Sequence, residues 1–264
     1  MNGRKKLGII GGMGSRAGAL FLNKIISYSP AVADQDFLEI IFHNNALIPD
    51  RTKAIVAGEA SPLEGLYRSI ELFNQSQVEV IAIACMTAYY YYDKIIENTN
   101  ADVINPFHLL AQHLQEEYKG AKRIGLLATT GAINSGLYHK SLAHCQVDLV
   151  TLDPADQEAI FMQAVYMKNG FKSAVISDEA RVLMFLAIKK LQEVNVDLLI
   201  GGCTEVSIGI KPEAVPIPYI DTLDLLARKT VACCYNAESF KKQTHNTKHR
   251  STKIINHNGQ ESNT

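Results

Sequence analysis

Two cysteines, Cys85 and Cys203, each follow a run of apolar residues and stand within two positions of a threonine. A free thiol ionises at a pKa near ~8.5, so a thiolate and a thiol can coexist close to neutral pH. Such a pair can take a proton from one face of a carbon atom and return a proton to the opposite face. If the two thiols face one cleft, the pattern indicates racemisation of an amino acid by two-base proton transfer.

The other cysteines, Cys145, Cys233 and Cys234, stand in no such pattern and are interpreted as small buried hydrophobic residues. The chain has no Cys-x-x-Cys motif, and its eight histidines show no metal-ligand spacing. Free thiols are typical of a reducing compartment. The sequence therefore predicts a cytoplasmic protein without a metal site.

The segments that carry Cys85 and Cys203 belong to an internal repeat. Three segments of the N-terminal part resemble three segments of the C-terminal part, in the same order and at nearly equal spacing. The matched pairs are 6–12 with 123–129, 80–87 with 198–205, and 103–106 with 219–222. Each segment resembles a short buried strand, and the repeat predicts two halves of similar fold.

Helical patterns lie between these strands, for example over 62–76 and 178–195. Alternating strands and helices predict βαβ units and a parallel sheet in each half. We expect a first half over 5–118, which contains Cys85, and a second over 121–235, which contains Cys203. The last helix of the second half is expected to pack back on the first half. The active crevice of such sheets lies beyond the carboxyl ends of the strands, where both cysteines fall.

Composition limits the partners of the protein. A net charge of −1 gives little reason to expect nucleic acid, and the apolar runs are far shorter than a membrane span. No signal-peptide core follows the N-terminus, which agrees with a cytoplasmic location. The segment 237–264 is polar and slightly basic, so a disordered tail is expected there, although a basic tail could also touch RNA or membrane.

Several short motifs follow one another along residues 6–232, and together they resemble the aspartate/glutamate racemase family. They are Gly8–Gly14, Asn44-Asn45 with Ile48–Thr52, Cys85 with Thr87, Leu126–Gly131 with Ser135–Tyr138, and Gly202–Glu205. The resemblance implies two pseudosymmetric Rossmann-like α/β domains with parallel sheets, and an active site in the cleft between them. It also implies a racemase that uses no cofactor, acts on a small acidic amino acid, aspartate ahead of glutamate, and forms a homodimer.

The resemblance also implies residue roles. Cys85 and Cys203 would carry the protons, and Arg51, assisted by Lys168, would bind the side-chain carboxylate of the substrate. The residues implied to contact the rest of the substrate are Met13, Asn45, Thr87, Thr129 and Thr204.

The chain departs from the family pattern at Met86, where asparagine is usual, and a thioether is only a weak hydrogen-bond acceptor. Smaller departures are Ser15 and Ala46, where proline is common, and Tyr89, where histidine is common. Met86 keeps two alternatives open. One is a related isomerase, racemase or decarboxylase acting on another carboxylate, and the other is a protein that binds an acidic metabolite without turnover.

Four features have simpler interpretations. The segment 12–17 fits the glycine-rich dinucleotide fingerprint, but no acidic residue ends the next strand, which we predict over 37–42. Arg51 could be a surface ion pair, and 89–92 is interpreted as a packing cluster at a helix start. Glu205 could polarise a neighbouring group, but a role at the N-terminus of a helix is favoured.

Overall fold

The computed structural model of the protein describes residues 3–211 and 215–235, which form two parallel four-stranded β-sheets. The strand order is β2-β1-β3-β4 in the first sheet and β6-β5-β7-β8 in the second, so the two sheets have the same topology. The strands are β1 (Leu7–Gly11), β2 (Ile40–Asn44), β3 (Val80–Ile83), β4 (Asp102–Val103), β5 (Arg123–Leu127), β6 (Asp148–Val150), β7 (Leu198–Gly201) and β8 (Tyr219–Asp221). The predicted α/β fold with parallel sheets is confirmed.

Helices of very different length connect the strands. They are α1 (Ser15–Tyr28), α2 (Arg51–Ala57), α3 (Leu63–Gln75), α4 (Tyr92–Ile96), α5 (Pro106–Glu117), α6 (Thr130–Asn134), α7 (Leu137–Leu142), α8 (Pro154–Asp156), α9 (Gln163–Tyr166), α10 (Asp178–Glu193), α11 (Thr204–Gly209) and α12 (Thr222–Cys234). Short 3₁₀ turns occupy Asp34–Asp36, Met86–Tyr91 and Ala143–Cys145, and a π-helical turn occupies Gln157–Met162. None of the helices in the described part of the chain is long and apolar enough to cross a membrane.

The central strands β1, β3 and β7 are buried along their whole length, and only Arg123 of β5 is exposed. This burial explains why their sequences are continuous apolar runs, since parallel sheets are covered by helices on both faces. The strand predicted over 37–42 begins later, at Ile40, because Asp34–Asp36 forms a 3₁₀ turn and Leu38 precedes the ladder with β1. Its pairing with β1 runs from Ile40 to Asn44.

The helix α12 follows β8 of the second sheet but packs against α1 and α5, which cover the first sheet. Lys24 of α1 reaches Asp224 of α12 at 2.6 Å, and Arg228 of α12 lies over the ring of Tyr28 of α1. Apolar residues of α12 such as Leu226 belong to the same core cluster as the first sheet. The limits 5–118 and 121–235 remain predictions, and the tail predicted over 237–264 lies outside the described residues.

Candidate active site

A small cavity lies where the carboxyl ends of the two sheets face each other. Cys85 follows β3 and is the N-cap of the turn Met86–Tyr91, whereas Cys203 follows β7 and is the N-cap of α11. The cavity is lined by Met13, Arg51, Thr52, Cys85, Met86, Thr87, Thr129, Tyr166, Lys172, Cys203, Thr204 and Glu205. Its volume is about 10 Å³, which is space for about one water molecule. The cavity is therefore smaller than an amino acid.

The first half of the molecule contributes a fixed cation. Arg51 begins α2, whose N-cap Asp50 accepts a hydrogen bond from a backbone N–H of the first turn. The Arg51 guanidinium donates to the backbone carbonyls of Pro49 at 2.7 Å and Met13 at 2.8 Å. Among the described residues, its buried Nε has no hydrogen-bond partner. The guanidinium is thus held rigidly at the cavity wall, with one donor unused.

The guanidinium of Arg51 also lies beside the sulfur of Cys85. Burial disfavours its charged form, but attraction to Cys85 and to the Asp50 carboxylate outweighs this effect and raises the pKa of Arg51. Arg51 is only 6% exposed, so solvent screens this interaction little, and the interpretation as a surface ion pair is wrong.

Two threonines connect the halves across the cavity. The hydroxyls of Thr87 and Thr129 are 2.9 Å apart and form a hydrogen bond, and both side chains are buried. Thr129 is also the N-cap of α6, where its hydroxyl accepts a bond from the N–H of Ala132. Gly131 in that helix lets the backbone approach α2, because a Cβ there would lie 2.7 Å from Thr52 Cα. The two hydroxyls therefore join the halves at the wall of the cavity.

The second cysteine belongs to a buried hydrogen-bonded group. The Cys203 thiol donates to Glu205 Oε2 at 2.7 Å, and the Thr204 hydroxyl donates to the same oxygen at 3.2 Å. Lys172 donates from Nζ to Glu205 Oε1 at 2.8 Å and to the backbone carbonyl of Met13 at 3.2 Å. The Glu205 side chain is 3% exposed, so its carboxylate is a buried charge that depends on these partners.

The charges in this group shift one another's ionisation. Burial raises the pKa of the Cys203 thiol well above its usual range, and the neighbouring Glu205 carboxylate adds to the increase. Burial opposes the charged forms of Glu205 and Lys172, but their ion pair outweighs it, so the pKa of Glu205 is lowered and that of Lys172 is raised. Both partners of the pair are therefore charged at neutral pH.

The chain is similar to known proteins in both sequence and fold. The model of the family described as "Asp/Glu/Hydantoin racemase" matches residues 10–230, which is most of the chain. The chain belongs to the Asp/Glu/hydantoin racemase family. The resemblance inferred from the sequence motifs is thus confirmed, and the protein is an enzyme of the amino-acid racemase class.

Individual relatives of the racemase agree with this assignment. An aspartate racemase of Picrophilus torridus is 28% identical, with a TM-score of 0.75 and coverage of 87% of this chain and 94% of that one. The broad specificity amino-acid racemase RacX of Bacillus subtilis is 24% identical over 240 residues, 86% of this chain and 96% of that protein. A glutamate racemase of Francisella tularensis, solved with D-glutamate, shares the fold, with a TM-score of 0.59, 16% identity and coverage of 88% and 81% of the two chains.

Two residues assigned to the substrate from the sequence motifs do not line the cavity of the racemase. Asn45 is buried, but its side chain donates to the carbonyl of Gly65 at 2.8 Å and accepts from Arg68 at 2.7 Å. Its amide therefore anchors the loop after β2. Lys168 is exposed, and Lys172, four residues further on, reaches the cavity instead. A substrate role for Lys168 remains a prediction, and Lys172 is the lysine that lines the cavity.

Glu205 combines the two interpretations that the sequence left open. It lies in the first turn of α11, as the favoured prediction of a place at a helix N-terminus expects. Its carboxylate also accepts hydrogen bonds from the side chains of Cys203, Thr204 and Lys172, as expected for a group that polarises its neighbours. The motif Gly-Cys-Thr-Glu contained this signal, since a carboxylate two residues after a thiol can turn back onto it.

A wider cavity of about 280 Å³ adjoins the site at Thr52 and Tyr166, which line both cavities. The Tyr166 hydroxyl, from the second half, donates to Asp50 Oδ2 of the first half at 2.9 Å. Neither Tyr166 nor Thr52 was assigned to the site from the sequence. No group of three or more His, Cys, Asp or Glu side chains in the described ranges could hold a metal ion.

Proposed function

We propose that the protein racemises an acidic amino acid, aspartate ahead of glutamate, with Cys85 and Cys203 as the two proton carriers. The observation that supports this most directly is the position of both sulfurs in one cavity, at equivalent strand ends of two equivalent sheets. A substrate held between the sheets would present opposite faces of its α-carbon to the two thiols. The name of the Picrophilus torridus relative, aspartate racemase, supports the substrate class.

In the proposed reaction, the thiolate of one cysteine accepts the α-proton, and the bonding electrons remain on the α-carbon as a carbanion. The thiol of the other cysteine then gives its proton to the opposite face, so the product is the mirror image and the two cysteines have exchanged forms. The reaction of the other enantiomer runs the same steps in reverse. The α-carboxylate would be bound by the hydroxyls of Thr87 and Thr129, which stabilise the negative charge that the carbanion delocalises onto it.

Two cations support a substrate with a second carboxylate. Arg51 keeps a buried Nε–H without a partner among the described residues, and Lys172 lines the same cavity. A carboxylate that accepts hydrogen bonds from such groups is bound more strongly than a neutral side chain. Because Lys172 is already paired with Glu205, the substrate carboxylate would share this lysine with Glu205.

A second candidate is racemisation of neutral amino acids, and Met86 is the observation that favours it. Met86 is buried in the cavity wall beside Cys85, where the family pattern has an amide, and it presents an apolar surface to the substrate. If Lys172 stays with Glu205, the charge available to a second carboxylate is smaller. The broad specificity named for the Bacillus subtilis relative agrees with this alternative.

The deciding experiment is proton NMR in D₂O of the purified protein with free thiols and no added cofactor. Separate samples contain the L- and D-forms of aspartate, glutamate and a panel of neutral amino acids, and chiral chromatography follows inversion. We expect loss of the α-proton signal with aspartate, and loss of inversion in Cys85→Ser and Cys203→Ser, because each variant lacks one proton carrier. Cys145→Ser is the control for losing a thiol outside the site.

Exchange with neutral amino acids alone would select the second candidate. Inversion that continues in both directions in either of the two cysteine variants would overturn the two-base mechanism. Absence of exchange in every sample of folded protein would contradict both candidates.

A further inference from the structure

The two sulfurs of the cavity have neighbours of opposite charge. Cys85 lies beside the Arg51 guanidinium, whereas Cys203 donates its thiol proton to the Glu205 carboxylate at 2.7 Å. The repeat would make the halves equivalent, but the position equivalent to Glu205 in the first half is Thr87, whose side chain carries no charge. The asymmetry is therefore a property of particular side chains and not of the fold.

We infer that Glu205 is a positioning residue that keeps Cys203 in its thiol form in the ligand-free enzyme, so that Cys85 enters the reaction as the base and Cys203 as the acid. The roles of Cys85 as the base and Cys203 as the acid rest on the proposed function. The inequality of the two thiols does not depend on turnover.

The geometry supports this role in three ways. First, Glu205 is 3% exposed, so the acceptor of the Cys203 proton is little screened by water. Second, its other oxygen is held by Lys172 at 2.8 Å, which keeps Glu205 ionised and able to accept. Third, removing the proton from Cys203 would place a thiolate next to a buried carboxylate, which like-charge repulsion opposes. The raised pKa of Cys203, caused first by burial and then by Glu205, agrees with this arrangement.

The groups that face the Glu205 carboxylate come from several elements. Cys203 and Thr204 precede it at the start of α11, and Lys172 approaches from the loop before α10. The backbone turn at Gly14 passes close to Oε1, and Arg51 lies near enough to Lys172 to oppose its charge. The negative charge of Glu205 favours the thiol form of Cys203, whereas the positive charge of Lys172 favours its thiolate form. The thiol form therefore depends on the Glu205 carboxylate.

The proton balance of the first turnover follows from the resting forms. The Cys85 thiolate takes the α-proton and becomes a thiol, and the Cys203 thiol gives its proton to the other face and becomes a thiolate. The enzyme leaves this turnover with the two forms exchanged. It returns to the resting form either by converting the opposite enantiomer or by releasing a proton from Cys85 to water and taking one up at Cys203.

The test measures thiolate formation directly, without substrate. The full-length protein is treated with iodoacetamide across a range of pH, and mass spectrometry of the peptides gives the alkylation rate of each cysteine. Only the thiolate reacts, so the pH dependence of the rate reports the ionisation of each sulfur. In the wild-type protein at neutral pH, we expect Cys85 to be alkylated before Cys203.

In Glu205→Gln, we expect the alkylation profile of Cys203 to move to lower pH, with a rate at neutral pH raised roughly tenfold by the loss of the neighbouring negative charge. The profile of Cys85 should stay in place. Glu193→Gln, which removes an exposed carboxylate at the end of α10, is the matched control and should change neither profile.

An unmoved Cys203 profile in folded Glu205→Gln would overturn the inference. If that variant fails to fold, the wild-type protein still tests it, since equal labelling of the two cysteines, or labelling of Cys203 first, also contradicts it. The outcome is separate from that of the proposed function. A protein that shows the shift but racemises nothing keeps the inequality of the thiols and loses the function, and a racemase without the shift does the reverse.

Discussion

At the scale of single residues, the site is set by which charged groups are buried beside each sulfur. Arg51 is held by backbone carbonyls alone, whereas Lys172 is held by the Glu205 carboxylate at 2.8 Å and more distantly by the backbone carbonyl of Met13 at 3.2 Å. A cation fixed by the backbone is a permanent part of the wall. A cation paired with a carboxylate can share its donors with a ligand, since an ammonium group has three of them. Lys172 is therefore the cation that we expect to respond to the substrate.

This difference gives a prediction for two nearby lysines. Lys172→Gln should lower kcat/KM for the acidic substrate by about 10- to 100-fold, because a hydrogen bond to a charged group is worth about 1.5–3 kcal/mol. Lys168→Gln removes the same charge from an exposed position and should change kcat/KM by less than about twofold. Steady-state kinetics of both variants, with thermal denaturation to confirm folding, measures the contrast. A larger loss in Lys168→Gln than in Lys172→Gln would show that Lys168, and not Lys172, binds the substrate.

The residue scale also shows where sequence reasoning ends. The two cysteines were predicted from the repeat and their places at strand ends, and Arg51 was predicted from the family motif around it; all three line the cavity. Lys168 and Lys172 lie in one irregular segment, and the choice between them depends on how the chain turns around Asn169, whose φ is 62°. Local sequence does not determine that turn, so the sequence could not show that Lys172, and not Lys168, lines the cavity.

At the scale of the elements, a turn close to the site departs from regular α-helical geometry. The π-helical turn Gln157–Met162 precedes Tyr166 and brings buried Gln157 to the carbonyl of Ala128, at a distance of 3.0 Å. Such turns are rare and frequent at functional sites, and hydrophobic periodicity does not reveal them. By contrast, the helices predicted over 62–76 and 178–195 lie within one or two residues of their observed ends. Long periodic segments could therefore be predicted, and short irregular ones could not.

The turn after β1 is an element whose geometry requires glycine. Gly12 has a φ of 88°, and a Cβ there would lie 2.3 Å from the backbone carbon of Asn45. We expect Gly12→Ala to lower the free energy of unfolding by about 3 kcal/mol or more, because backbone strain and a clash with backbone add together. Gly58→Ala is the matched control, since Gly58 has a φ of 64° but no atom within 4 Å of its Cβ position.

The control variant isolates the strain alone, so its cost should be about 1 kcal/mol. Urea denaturation of both variants measures the difference. Equal costs would mean that the loop after β2 moves away from Gly12, and the anchoring of that loop by Asn45 would then be weaker than its hydrogen bonds indicate.

At the scale of the whole molecule, the two halves are closed over the site. A cavity of about 10 Å³ admits about one water molecule, so an amino acid can enter only if the halves or their loops separate. The wider cavity of about 280 Å³ lies just outside, and Thr52 and Tyr166 form the wall between the two. The hydrogen bond from Tyr166 to Asp50 joins the halves at this wall. Substrate entry therefore requires this bond to break if the wall is the entrance.

Tyr166→Phe tests this route, because it removes the hydroxyl and keeps the ring that lies against Lys172. Loss of one hydrogen bond weakens the closed form by about 0.5–1.5 kcal/mol, so the open form should become about 2- to 10-fold more populated. The alkylation rate of buried Cys85 by iodoacetamide in the ligand-free protein should rise by the same factor. Tyr118→Phe, which alters a tyrosine at a separate cavity, is the control. An unchanged rate in Tyr166→Phe would place the entrance elsewhere, and the wall at Tyr166 would then serve only to shape the site.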